Sequence, residues 1–155
     1  MITKASRVAA TLALAAALTT SGCAIMSPVQ TDMPYQASDG INLDLGGDLA
    51  VRGLVVVGST KSGGGGRVAG QFVNKSDKKV VVTFATSGAS QVTASVPAYS
   101  SVNLADKDDL TMTGMPAVAG QLVTLKISAS GTGDNLAQVP VVSPERFYAD
   151  YKPAS

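Results

Sequence analysis

The 155-residue chain has 12 basic and 11 acidic side chains, no histidine, no tryptophan and one cysteine. That balance, without a basic patch interleaved with aromatics, gives no reason to expect a nucleic-acid partner. The absence of histidine and the single cysteine remove the usual serine and cysteine hydrolase arrangements, which need a base beside the nucleophile, and the expectation is a protein that is not an enzyme.

The N-terminus is built as an export signal. Lys4 and Arg7 form a positive start, and residues 8–18 (VAATLALAAAL) are uncharged and almost wholly apolar. Eleven residues suit a signal's hydrophobic region and fall well short of the ~20 that span a bilayer. Thr19-Thr20-Ser21-Gly22 then leads to Cys23. Small residues before a lone cysteine are what a lipoprotein signal peptidase requires, since the thiol accepts the diacylglyceryl group. Thr20 stands where leucine is more usual. The expected cleavage lies between Gly22 and Cys23, with Cys23 lipidated, and places the protein at the extracytoplasmic face of the cell membrane. More than one acyl chain gives a stable anchor. Acylation also accounts for the unpaired cysteine in an exported chain. The expected division is a signal peptide over 1–22, a lipidated tether over 23–48, a β-domain over 49–142 and a tail over 143–155.

The tether contains Pro28, Pro34 and four Asp. Its end can fold onto the domain, because Ile41, Leu43 and Leu45 alternate with polar residues. Strands are predicted over 49–57 (LAVRGLVVV), 67–74 (RVAGQFVN) and 79–86 (KVVVTFAT), with Val80, Val82 and Phe84 on one face of the last. Residues 58–66 read as a flexible loop, and Asn74-Lys75-Ser76-Asp77 has the composition of a hairpin connection. Strands follow over 90–96, with Val92, Ala94 and Val96 inward, and over 100–104. Another covers 122–129, with Val123, Leu125, Ile127 and Ala129 inward, and a last one covers 136–142, broken by Pro140. Gly131-Thr132-Gly133-Asp134-Asn135 is a tight turn. Six to eight short strands without a long helical period predict an all-β, antiparallel, Ig-like sandwich. Residues 143–151 alone suggest a helix of one or two turns, with Ser143 as cap and Pro144 in the first turn.

The lipidated cysteine, the acidic tether, the AVRGLVVV block, the FVNKSDKKVVVTF segment and the GTGDN turn together resemble a group of small actinobacterial membrane lipoproteins (LpqE-like). These are distantly similar to the PCu(A)C copper-chaperone domains. The resemblance covers residues 45–142 and implies a cupredoxin-like sandwich.

Few residues could carry chemistry. Gly58-Ser59-Thr60-Lys61-Ser62 lacks the phosphate-loop spacing, and glycines follow where a helix should begin. Asp106, Asp108 and Asp109 read as a solvated turn, without the glycine and distant glutamate of a calcium loop. Met112 and Met115 carry soft thioethers suited to Cu(I). The copper chaperones combine methionine with histidine, so their ligand set does not carry over, and methionines commonly fill irregular core gaps. The expectation is no metal and no cofactor. Phe147, Tyr148 and Tyr151 concentrate aromatics after the last strand. They either pack back on their own domain or form an anchor for a partner. Together these features predict a lipid-anchored accessory protein that presents its sandwich to an envelope or membrane-complex partner; the alternative is a copper or small-ligand binder.

Overall fold

A computed structural model describes residues 39–153. The signal segment, Cys23 and the greater part of the tether lie outside the described residues. Nine strands occur among those described: β1 Ile41–Gly46, β2 Leu49–Gly58, β3 Gly66–Asn74, β4 Val80–Ala85, β5 Val92–Val96, β6 Ser100–Asn103, β7 Thr111–Met112, β8 Leu122–Ala129 and β9 Asp134–Val142. Their hydrogen-bonded order is β5-β4-β8-β9-β2-β3-β6, with β1 on β2 and β7 on β3. The expected all-β sandwich is therefore present. The sheet begins at Ile41, so the last residues assigned to the tether belong to the domain.

Alternation in sequence becomes alternation in burial. In β4, Val80, Val82 and Phe84 are buried while Val81 is exposed. β5 and β8 repeat the pattern with Val92, Ala94 and Val96, and with Val123, Leu125, Ile127 and Ala129. These side chains meet Val51, Leu54, Val56, Val68 and Phe72 of the opposite sheet in one continuous core. Each large apolar side chain removed from water contributes about 1.5–3 kcal/mol.

β2 departs from simple alternation. Arg52 faces Gln71 and Val55 faces Ala69, so the register shifts between them. Gly53 (φ +60°) and Gly70 (φ +135°) take up that irregularity, and a Cβ on Gly70 would lie 3.0 Å from the carbonyl oxygens of Arg52 and Gly53. The bulge lets Val51 and Leu54, three residues apart, both point into the core.

Two expected connections differ. Residues 75–79 do not close a hairpin. β3 pairs with β2, β6 and β7, and β4 pairs with β5 and β8, so this turn carries the chain from one sheet to the other. The sheets are also not wholly antiparallel, since β9 pairs with β8 up to Pro140 and then runs parallel to β2 through Val141 and Val142. Pro140 sits inside the strand at this change of partner, where its missing N–H is tolerated.

The C-terminal helix is a short 3-10 segment, Arg146–Tyr151. Its cap position is Glu145, without a side-chain cap bond, in place of the expected Ser143. Arg146 has φ +51°, which interrupts the backbone that an α-helix started at Pro144 would need.

Candidate functional site

Met112 and Met115 were the only soft donors suggested for a metal. Met112 is 0% exposed and Met115 2%, and both belong to the apolar core. The sequence around them is held by backbone bonds to the glycine loop: Gly63 N–H donates to the Met115 carbonyl at 2.9 Å, and Met115 N–H donates to Gly64 O at 3.0 Å. A Cβ on Gly66 would come within 2.6 Å of Met115 Cγ. Glycine there makes room for the thioether, which fills an irregular gap as methionine readily does. Among the described residues no three His, Cys, Asp or Glu side chains converge, and in the acidic turn Arg67 Nη2 donates to Asp108 Oδ1 at 2.8 Å.

The glycine-rich loop forms one wall of a cleft of about 800 Å³ at this end of the sandwich. Its other walls are Thr113-Gly114, Ser143–Glu145 and Lys152-Pro153. The loop is not free: Ser59 N–H donates to Gly65 O, and Ser59 Oγ accepts from Lys61 N–H at 3.0 Å. The cleft is open, hydroxyl-rich and of mixed charge, with Lys61 and Lys152 against Glu145.

The three aromatic candidates separate. Tyr148 and Tyr151 pack on a small second cluster of Val55, Val57, Ala69 and Ala105, outside the main core. Phe147 is 82% exposed and meets Tyr148 edge-on at 5.5 Å between centroids. Tyr148 Oη donates to Asp39 Oδ2 at 3.2 Å. Partial burial, and secondarily Asp39, raise the Tyr148 phenol above its ordinary pKa. The two tyrosines thus cover an apolar part of the β2–β3 face, and Phe147 alone remains available to a partner.

The outer face of β4, β8 and β9 is uncovered. Leu122 and Leu136 are largely exposed there, and Val81 about half so. Its charges are one neighbouring pair, Lys126 and Asp134 at 3.3 Å. The Ser128 hydroxyl, and after it Lys126, hold the Asp134 carboxyl below the usual carboxylate range.

Asn74 was not singled out from the sequence. It is 1% exposed, the one buried polar or charged residue among those described. Its amide nitrogen donates to the carbonyls of Lys78 and Pro97, each at 2.8 Å. Its Oδ1 accepts from Ser76 N–H at 2.9 Å and Ser76 Oγ at 2.6 Å. These bonds lock the β3–β4 turn to the β5–β6 turn, where Tyr99 N–H donates to Ser76 O at 3.0 Å. The available signal was an asparagine at a strand end beside a polar turn, which the sequence offers equally to any hairpin.

No protein-family model matches the chain, and no curated protein matches it. Its fold is similar to that of the apo PCuAC domain from PmoF1, with a TM-score of 0.53 and 10% identity over 67% of this chain and all of that one. It is also similar to the copper-bound PCuAC domain from PmoF2, with a TM-score of 0.50 and 12% identity over 67% of this chain and 99% of the other. The expected distant likeness to PCu(A)C domains holds at the level of fold.

Proposed function

We propose that the protein is a lipid-anchored, extracytoplasmic binding protein without catalytic activity, which presents its sandwich to an envelope or membrane-complex partner. The observation that carries this reading is the distribution of reactive side chains. The only cysteine stands at the end of an export signal, and the chain has no histidine. Acylation at Cys23 would confine the domain near the bilayer, so that even a weak contact is used efficiently. Kinship with small actinobacterial membrane lipoproteins belongs to the same proposal. Among the described residues no helix is long and apolar enough to cross a membrane, and anchoring rests on Cys23. Expression of the full chain with Cys23→Ala tests it: the precursor should stay uncleaved and unacylated, whereas maturation at residue 23 with retained membrane partition would refute lipidation. Affinity purification from detergent-solubilised membranes should recover a stoichiometric partner with the lipidated form.

A second reading, a copper or small-ligand carrier, draws on the similar fold of a copper-bound domain. The donor set here does not fit copper, since both thioethers lie in hydrocarbon and neither imidazole nor a described thiolate accompanies them. A small ligand would have the cleft beside the glycine loop. Stoichiometric Cu(I) binding abolished by Met112→Leu with Met115→Leu would replace the first reading with the second.

A further inference from the structure

We propose that the end of the sandwich bearing Lys75, Lys78, Lys79 and Tyr99 is a contact surface for an anionic phospholipid layer; this rests on the lipid-anchor reading. The strand directions bring four connections to this end: 46–49, 75–79, 97–99 and 130–133. Three lysines lie within one five-residue turn. All three are exposed, and among the described residues none takes part in an ion pair. Lys75 and Tyr99 line a hollow of about 310 Å³, and Lys78 and Lys79 line another of about 390 Å³ with Gly46, Gly47, Ser130 and Thr132. Asp48, Asp77 and Asp134 are the acids of this end, and Asp134 is paired with Lys126. Basic and acidic side chains are equal in number among the described residues, so the positive sign arises from placement. The acidic run 106–109 lies toward the opposite end, where Asp108 meets Arg67.

Tyr99 is the second observation. The residue is 74% exposed while its backbone has φ +49°, a conformation seldom adopted by a bulky residue. The Asn74 bonds and the Tyr99 N–H to Ser76 bond make the two turns one rigid platform. Lysine stems with ammonium tips beside an exposed tyrosine match the chemistry of the headgroup layer. The sixteen residue steps from Cys23 to Asp39 can reach at most roughly 50 Å, enough for this end to meet the bilayer.

The test uses the mature lipidated protein with a polarity-sensitive fluorophore at Ser101→Cys, beside Tyr99, inserted in phosphatidylglycerol or phosphatidylcholine vesicles. On phosphatidylglycerol the emission should shift to the blue and acrylamide quenching should fall. Both effects should disappear on phosphatidylcholine, in high salt, and in Lys75→Gln, Lys78→Gln, Lys79→Gln with an unchanged circular dichroism spectrum. A label at Phe147→Cys should remain quenched throughout. Equal quenching of the Ser101→Cys label on both vesicles overturns the proposal. Shielding in native membranes but not on pure lipid assigns the surface to a protein partner and also overturns it. Failure to float with phosphatidylcholine refutes the anchor instead; lysine-dependent flotation with phosphatidylglycerol then still upholds the surface, and its absence overturns it.

Discussion

Asn74 ends β3 and Pro97 follows β5 of the other sheet, yet the Asn74 amide donates to the Pro97 carbonyl at 2.8 Å while also holding Lys78. A leucine at position 74 would remove four hydrogen bonds, although the Lys78 and Pro97 carbonyls keep the Ser76 and Ser100 hydroxyls as donors. Each lost bond costs about 0.5–1.5 kcal/mol, so Asn74→Leu should lose roughly 3 kcal/mol in denaturant unfolding. Asn74→Asp should also destabilise, because a carboxylate cannot donate to carbonyls. Unchanged midpoints would remove the bracing role of Asn74.

The methionines should behave as core residues. Met112→Leu and Met115→Leu nearly conserve volume and should each cost under about 1.5 kcal/mol. Gly66→Ala drives a methyl against Met115 Cγ and should cost about 1–3 kcal/mol by overpacking. Combining Gly66→Ala with Met115→Ala should recover part of that loss, since the contact with Met115 is removed and only that with Val56 Cγ1 at 2.9 Å remains. Strict additivity in the double-mutant cycle would argue against the contact.

The aromatic tail should divide by residue. Tyr148→Ala and Tyr151→Ala uncover Val55 and Val57 and should each destabilise by about 1–3 kcal/mol. Phe147→Ala, at an exposed ring, should stay within about 0.5 kcal/mol. If Phe147→Ala alone abolishes co-purification of a partner, the ring is an anchor; if it destabilises as much as the tyrosine variants, its exposed placement is wrong.

Tyr148 gives a pH dependence with a definite sign. Its phenol is raised above 10.0 in the folded state, first by burial and then by Asp39. The neutral form is therefore the one favoured by folding, and its contribution is complete below the unfolded phenol value. It is lost as pH rises through the higher folded value. Alkaline unfolding should be steeper in the wild type than in Tyr148→Phe. At neutral pH the same variant should lose roughly 0.5–1.5 kcal/mol with its hydrogen bond. Parallel pH curves would mean that the hydroxyl does not meet Asp39 in solution.

The sequence by itself determined the strands and their faces. Val80, Val82 and Phe84, or Val123, Leu125 and Ile127, declare an inward face because period-two alternation is a local property of the pleat. Glycine-rich and Asp/Asn-rich segments likewise marked the turns, since their backbone preferences are local. Which strand pairs with which was decided only by the tertiary structure. The turn at 75–79 has hairpin composition, yet it crosses between sheets because β6 and β7 occupy the β3 edge that β4 would need. The bulge at Gly53 places Val51 and Leu54 on one face, where simple period-two alternation would separate them. Core packing was already the expectation for Met115, but only the structure showed that Gly66 makes room for it. The clustered aromatics likewise separated only when Val55 and Val57 were found beneath two of them. Pairing, register and burial depend on residues distant in the chain, and a local pattern carries no record of those neighbours.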